Sequence, residues 1–241
     1  MYYKEYGNTG IKVSAIGLGG MRFNDEDVKA GRLEKCAEVA LYAYEKGINY
    51  WDTAPYYNDD KSEDILGIAL SQVKRDKVYI TSKTNFGTLE DRKPTRDNFR
   101  RRLETSLTRL KTDYIDFYHM WCMMNLPSWE KHMDALYRFF EEAKSEGLIR
   151  HIVFSSHMQG NDIETVVESG KFEGMLIGYN ALNYGFRQSG IKKAHESGMG
   201  VVEVILIIVV LIGLVVLFQS NIKSVVSNIF TKINSGVSKV N

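Results

Sequence analysis

Acidic, basic and hydroxyl side chains stand where the apolar runs of the sequence end. Asp52 follows "GINYW", Lys83 follows "KVYITS", and Ser155 and Ser156 close the run that begins "LIRHIVF". Groups of these types transfer protons and bind polar ligands when a fold brings them together. Each also has an ordinary structural interpretation, because an aspartate can cap a turn and a lysine can be solvated at the end of a strand. Whether they form a site depends on the elements that carry them.

Apolar runs typical of strands alternate with amphipathic helical patterns up to about residue 200, roughly one pair every 30 residues. This alternation, with short connections, predicts right-handed βαβ units and a parallel sheet. Six complete units and the start of a seventh strand favour an incomplete (β/α)8 barrel over a doubly wound sheet, and the first strand is followed by no GxGxxG motif. In such barrels the working residues lie at the carboxyl ends of the strands.

Composition narrows the range of partners. The formal net charge of +1 gives no reason to expect a nucleic acid partner, and the histidines have no metal-ligand spacing, so no metal site is expected. The two cysteines, Cys36 and Cys122, suit a reducing compartment. The first residues lack the basic-then-apolar order of a signal peptide, which predicts a cytoplasmic location for the first part of the chain.

Several motifs resemble the aldo/keto reductase family in order and spacing over roughly residues 1–200. They are "GNTGIKVSAIGLGGMRF", "NYWDTAPYYNDDKSEDILGIAL", "VYITSKT", "LKTDYIDFYHMW" and "GLIRHIVFSS". The resemblance implies a reductase of small aldehydes or ketones with NADPH as cofactor.

The resemblance also implies roles for individual residues. Tyr57, five residues after Asp52, becomes the general acid that protonates the alkoxide formed from the carbonyl. An ammonium at Lys83 would lower the pKa of the Tyr57 phenol, and Asp52 would hold that lysine in place. Ser155 and Ser156 match positions that contact the nicotinamide carboxamide. The full set of implied cofactor-binding residues is Gly20, Met21, Arg22, Asp52, Ser155 and Ser156.

Two positions depart from the family pattern. The family's histidine would fall at residue 121, which is Trp121 here, and His119 lies two residues earlier on the same face of the predicted strand. Either His119 substitutes as a fourth catalytic residue or the histidine is missing. The glutamine expected near the end of the sixth strand is Leu176.

The sequence changes character near Val202 and Glu203. From Val204 to Phe218 there is no charged residue, and this run is about three times the length of an ordinary strand. As a helix it would span roughly 22 Å, short of the ~30 Å hydrocarbon core, while counting from Val201 gives a borderline span. An amphipathic pattern follows, so we expect a long transmembrane or amphipathic helix, with membrane association or helix–helix self-association through residues 203–233.

Residues from about 198 to 241 resemble small Flp-type (type IVb) pilin-like proteins of Gram-positive bacteria, on "GMGVVEVILIIVVLIGLVVLF" and "NIKSVVSNIFTKI". A cut after Gly198 would make Glu203 the fifth residue, where pilins usually keep a glutamate. The expected domains are therefore a reductase-like partial barrel over 1–200 and a pilin-like segment over 201–241. A genuine fusion and a chimaeric reading frame both explain this junction. The segment lacks the basic residues that would bind the NADP 2′-phosphate, so we expect an impaired reductase. The alternative is a membrane-anchored or pilin-like assembly protein whose reductase portion is inert.

Overall fold

A computed structural model describes residues 1–84 and 93–204. The apolar and amphipathic helix expected after residue 204 lies outside these residues. Among the described helices, none combines the length and the apolar character needed to cross a bilayer.

The described elements follow one another in the predicted alternation. In chain order they are β1 (Tyr3–Glu5), β2 (Lys12–Ser14), β3 (Leu18–Gly19), α1 (Asp25–Lys29), α2 (Leu33–Glu45), β4 (Tyr50–Asp52), α3 (Ser62–Leu70), a 3-10 turn (Arg75–Lys77), β5 (Tyr79–Thr84), α4 (Arg96–Leu110), β6 (Ile115–Met123), α5 (Leu126–Ser145), β7 (Ile149–Ser156), α6 (Gly160–Glu168), β8 (Gly174–Gly178), α7 (Tyr184–Glu196) and β9 (Gly200–Val204).

One curled parallel sheet contains the strands β3 to β9 in chain order, and each strand pairs with the next. This confirms the predicted βαβ units and the start of a seventh barrel strand near residue 200. Because all these strands are parallel, their carboxyl ends meet at one edge of the sheet. The register places Asp52 opposite Thr81, and Lys83 opposite His119.

The amino-terminal part differs from the prediction in two places. The pattern of "VSAIGLGG" predicts one short strand that ends in glycines. In the structure, Lys12–Ser14 pairs antiparallel with Tyr3–Glu5, and only Leu18–Gly19 joins the large sheet. The backbone turns after Ser14, whose hydroxyl donates to the carbonyl oxygen of Ile16 at 2.7 Å. Apolar residues recur at helical spacing from Lys29 to Lys46, which predicts a helix there. The helix α2 is shorter, because Gly31 adopts a left-handed backbone with φ of 71° before α2 begins.

The amino-terminal end of the sheet is closed by Tyr6, which follows β1 and is 2% exposed. Its ring lies 4.5 Å from the ring of Phe117, centroid to centroid, and 6.2 Å from that of Tyr50. A Cβ at Gly174 would come within 2.2 Å of the Tyr6 hydroxyl, and one at Gly200 within 2.3 Å of the Tyr6 ring. These two glycines therefore make room for the tyrosine, and the opposite, carboxyl end of the sheet is left for a site.

Candidate active site

A buried ion pair occupies the carboxyl ends of β4 and β5. Lys83 Nζ lies 2.7 Å from Asp52 Oδ1 and 2.8 Å from Oδ2, and it also donates to the carbonyl oxygen of Thr53 at 2.7 Å. The lysine side chain is 0% exposed and that of the aspartate 18%. Thr81, two residues before Lys83 on the same strand, donates its hydroxyl to Asp52 Oδ1 at 2.7 Å. Both charged groups are thus held in fixed positions by several hydrogen bonds.

Burial and pairing act in opposite directions on the lysine. Removal from water lowers the pKa of Lys83 below its usual range, and the charge of Asp52 and its hydrogen bonds partly restore it. A buried charge needs a partner of opposite sign, since an unpaired one would cost several kcal/mol, on the order of 3–5. The Asp52 carboxylate is therefore what allows a cation to exist inside this sheet.

Tyr57 lies directly beside this pair. Lys83 Nζ is 5.1 Å from the centroid of the Tyr57 ring. Tyr57 is partly buried and sits in a tight loop between β4 and α3, where Tyr56 and Asn58 on either side have φ of 70° and 51°. The loop thus brings to the ion pair the one phenol that the family resemblance singled out.

Two contacts fasten the loop on opposite sides of Tyr57. Arg109 from α4 makes a bidentate ion pair with Asp60, at 2.6 and 2.7 Å, and Asp60 Oδ1 accepts from the backbone N–H of Tyr56 at 3.1 Å. Asn58 exchanges hydrogen bonds with the backbone of Phe23. Arg109 and its bonds lower the pKa of Asp60, which keeps the carboxylate charged. Left-handed backbone in non-glycine residues costs free energy, and these contacts offset that cost.

His119 lies inside the sheet next to the ion pair, away from solvent. Its side chain is 0% exposed. Burial, reinforced by the nearby Lys83 charge, lowers the pKa of His119 to about 3, while the Asp52 charge and the backbone of Phe154 act in the opposite direction. The imidazole is therefore neutral at ordinary pH.

Trp121, at the position where the family's histidine was expected, contacts Tyr57 directly. The two rings meet edge to face, with centroids 5.7 Å apart and planes at 86°. Trp121 lies where the pairing of β6 with β7 shifts register, between Met120 and Met123. Such bulges redirect side chains near functional sites. The indole is partly exposed, whereas His119 is enclosed.

The implied cofactor residues are split between buried and exposed positions. Gly20 is buried, and its N–H donates to the Asp52 carbonyl oxygen at 2.7 Å, whereas Met21 and Arg22 are exposed. Ser155 and Ser156 end β7, where the Ser156 hydroxyl accepts from the N–H of Met158 at 3.0 Å.

The Ser155 hydroxyl has no hydrogen-bond partner within the described part of the chain. This hydroxyl can donate to or accept from an amide, which suits the nicotinamide carboxamide. Leu176 pairs with Ser155 across β7 and β8 and contributes only an apolar side chain there. In residues 1–84 and 93–204 no cluster of metal-ligating side chains is found.

Several contributing residues were not recognised from the sequence. Thr81 could have been found, because it lies two positions before Lys83 and so shares its face of β5. Arg109 and Asp60 could not, because they are 49 residues apart and no local pattern links them.

Comparison with known proteins agrees with this geometry. The model of the aldo/keto reductase family matches residues 15–204. The chain therefore belongs to the aldo/keto reductase family, a class of oxidoreductases that act on small carbonyl compounds with a nicotinamide cofactor. The model of a putative flagellin, Flp1-like, domain matches residues 194–239, so the two matches overlap at the junction identified in the sequence.

Individual relatives are similar at a moderate level. An uncharacterized oxidoreductase, YqkF, of Bacillus subtilis is 31% identical over 75% of this chain and 56% of its own length. The NADH-specific methylglyoxal reductase of Escherichia coli is 29% identical over 80% of this chain and 63% of its own. The holo form of the aldo-keto reductase AKR11C1 of Bacillus halodurans superposes with a TM-score of 0.67 at 26% identity, covering 84% of this chain and 65% of that one. The chain thus spans about six-tenths of the length of these relatives.

Proposed function

We propose that the chain reduces a small aldehyde or ketone to an alcohol with NADPH, and that Tyr57 protonates the substrate oxygen. One observation carries the proposal. A fully buried ammonium, Lys83, is held by Asp52 at 2.7–2.8 Å and lies 5.1 Å from the Tyr57 ring. A phenol beside a fixed cation is suited to giving up a proton, because the cation stabilises the phenolate that remains.

Each residue of the site has a distinct task in this mechanism. When bound, the nicotinamide cofactor supplies the hydride that converts the carbonyl carbon to an alcohol carbon. The negative charge then develops on the substrate oxygen, and Tyr57 donates its phenolic proton to that oxygen. Lys83 stabilises the phenolate, and Asp52 keeps Lys83 charged and oriented. The Asp60–Arg109 ion pair and the Asn58 contacts hold the loop that places Tyr57 beside Lys83.

The nicotinamide end of the cofactor has candidate ligands in the chain. Ser155 has the unpartnered hydroxyl for the carboxamide, and Ser156, Gly20 and Asp52 lie at the same edge of the sheet. Met21 and Arg22 are the exposed members of the set, available to the rest of the dinucleotide. NADPH is the expected cofactor from the family resemblance, and NADH is the natural comparison because one relative is named an NADH-specific enzyme.

We expect the turnover to be slow. The aldo/keto reductase match stops at residue 204, and the Flp1-like match occupies the following residues in this chain. The resemblance implies that the 2′-phosphate of NADP and the nicotinamide ring draw further contacts from a segment beyond the seventh strand. Without those contacts the cofactor would bind weakly. The KM for the cofactor would then be high, while Tyr57 would still be in place as the proton donor.

The test is carbonyl-dependent oxidation of NADPH and of NADH by the purified full chain, with a panel of aldehydes that includes methylglyoxal. We expect slow alcohol formation, saturating only at high cofactor concentration and faster with NADPH. Lys83→Met should abolish it, and Lys77→Met, an exposed lysine six residues earlier, is the matched control. Rapid turnover at low cofactor concentration would refute the impairment, and product formation unaffected by Lys83→Met would refute the mechanism.

A second function is supported by the Flp1-like match at residues 194–239. In this alternative the chain is a membrane-anchored or pilin-like assembly protein that self-associates through residues 203–233, and its reductase portion is inert. Membrane fractionation and sedimentation of the full chain distinguish the two functions. Material that stays monomeric in the supernatant would exclude the assembly function, and sequencing one continuous DNA molecule across codons 198–202 would exclude or establish a chimaeric reading frame.

A further inference from the structure

Resting on the proposed carbonyl reduction, we propose that Trp121 contacts the substrate and donates a hydrogen bond from its indole Nε1–H to the reacting oxygen. It would be the second donor to that oxygen, beside the Tyr57 hydroxyl. The group that it would bind is a carbonyl or alkoxide oxygen. The indole is a neutral donor, and it would stand where the family resemblance predicts a histidine.

The position of Trp121 supports this role. It stands at the carboxyl end of β6, and its ring meets that of Tyr57 edge to face at 5.7 Å. A shift in the pairing of β6 with β7 falls between Met120 and Met123, on either side of Trp121. An irregularity of this kind bends the strand locally and can redirect a side chain, and here it coincides with the residue that touches the proton donor.

The indole N–H is available for a ligand. Trp121 is partly exposed, and no described residue accepts a hydrogen bond from its Nε1. The other two tryptophans differ, because Trp51 donates its Nε1–H to the carbonyl oxygen of Ile48 at 3.1 Å and the Nε1 of Trp129 is buried. An indole N–H can only donate, so an oxygen acceptor is the ligand that it fits.

His119 cannot fill the same role from its observed position. Its ring is fully enclosed within the sheet, while Trp121 is the residue that reaches the Tyr57 ring. The geometry therefore does not support His119 as the substitute for the expected histidine, and it favours Trp121 as the group that contacts the substrate. The proton itself still comes from the Tyr57 hydroxyl, and the indole keeps its hydrogen throughout.

Acetate is a suitable probe, because a carboxylate oxygen stands in for the alkoxide oxygen and its binding needs neither cofactor nor turnover. Binding is followed by saturation-transfer NMR of the acetate methyl group at constant ionic strength. Trp121→Phe keeps an aromatic ring and removes the donor, and we expect it to raise the acetate Kd about two- to tenfold, the effect of one hydrogen bond. Trp121→His restores a donor and should recover most of the affinity, while Trp129→Phe is the matched control and should bind as the wild type does.

Tyr57→Phe separates this inference from the proposed function. If Tyr57→Phe weakens acetate binding and Trp121→Phe does not, Tyr57 remains the proton donor and the role of Trp121 is overturned. If neither variant weakens it, or if the wild type shows no saturable binding, both proposals fail. Equal weakening by Trp121→Phe and Trp121→His would also overturn the inference, because the indole would then act by its shape and not by its N–H. Circular dichroism and thermal melts of each variant check that the fold is retained.

Discussion

Replacing His119 by leucine should make the protein less sensitive to mild acid. In the folded chain the imidazole is fully enclosed, and its pKa is about 3 because of burial and the adjacent Lys83 charge. In the unfolded chain a histidine has a pKa of about 6.5. As the pH falls below 6.5, this histidine binds a proton in the unfolded state, whereas in the folded state it binds one only near pH 3. The free energy of unfolding therefore decreases across this range.

The size of the effect follows from these two pKa values. Between pH 7.5 and pH 5 the histidine becomes protonated in the unfolded state and stays neutral in the folded state. Since pH 5 lies about 1.5 units below the unfolded pKa, the protein loses about 2 kcal/mol of stability over this range. Glu173, with a pKa of about 2, acts in the same direction but mainly below pH 4.5. His157, whose pKa is also lowered, adds a smaller loss because it is exposed.

Urea denaturation at pH 7.5 and at pH 5 measures this loss directly. The wild type should lose about 2 kcal/mol more than His119→Leu on moving to the lower pH. His195→Leu is the control, since that side chain is exposed and its removal should leave the pH difference unchanged. Equal losses in the wild type and in His119→Leu would show that the enclosed, neutral imidazole is not present in solution.

Two further predictions concern the loop and the closed end of the sheet. Arg109→Met removes the ion pair that holds the Tyr57 loop, so the rate of carbonyl reduction should fall about tenfold. The free energy of unfolding measured in urea should change by less than about 1 kcal/mol, because the pair is partly exposed. A large loss of stability with unchanged turnover would contradict this. Tyr6→Ala should cost about 3–5 kcal/mol in the same denaturation assay, because it empties the space left by Gly174 and Gly200. Tyr2→Ala, at an exposed tyrosine, should cost less than about 0.5 kcal/mol, and equal costs at the two positions would refute the packing argument.

Much of the fold follows from short-range patterns in the sequence. The alternation of strands and helices predicted the parallel sheet, which the structure confirms, because periodicity is a local property. The same pattern places Asp52 and Lys83 at the ends of strands, as observed, while their catalytic roles remain a prediction. Strand alternation also predicts that His119 and Trp121 share one face, but it cannot tell which of them reaches Tyr57.

The remaining features depend on contacts between distant parts of the chain. The irregular pairing of β6 that surrounds Trp121 has no local signature. The Asp60–Arg109 pair and the packing of Tyr6 against Gly174 arise only when the sheet curls and brings separate elements together. The sequence "VSAIGLGG" was misassigned for the same reason, because its first part pairs with Tyr3–Glu5, a partner that its own pattern does not specify.

The most direct test of the proposed chemistry is the rate of alcohol formation by wild type and by Tyr57→Phe, measured by mass spectrometry with saturating aldehyde and excess NADPH. Phenylalanine preserves the ring contact with Trp121 and the position above Lys83, and it removes only the hydroxyl. We predict slow product formation by the wild type and a decrease of at least about 100-fold in the variant. Equal rates in the two proteins would contradict the assignment of Tyr57 as the proton donor.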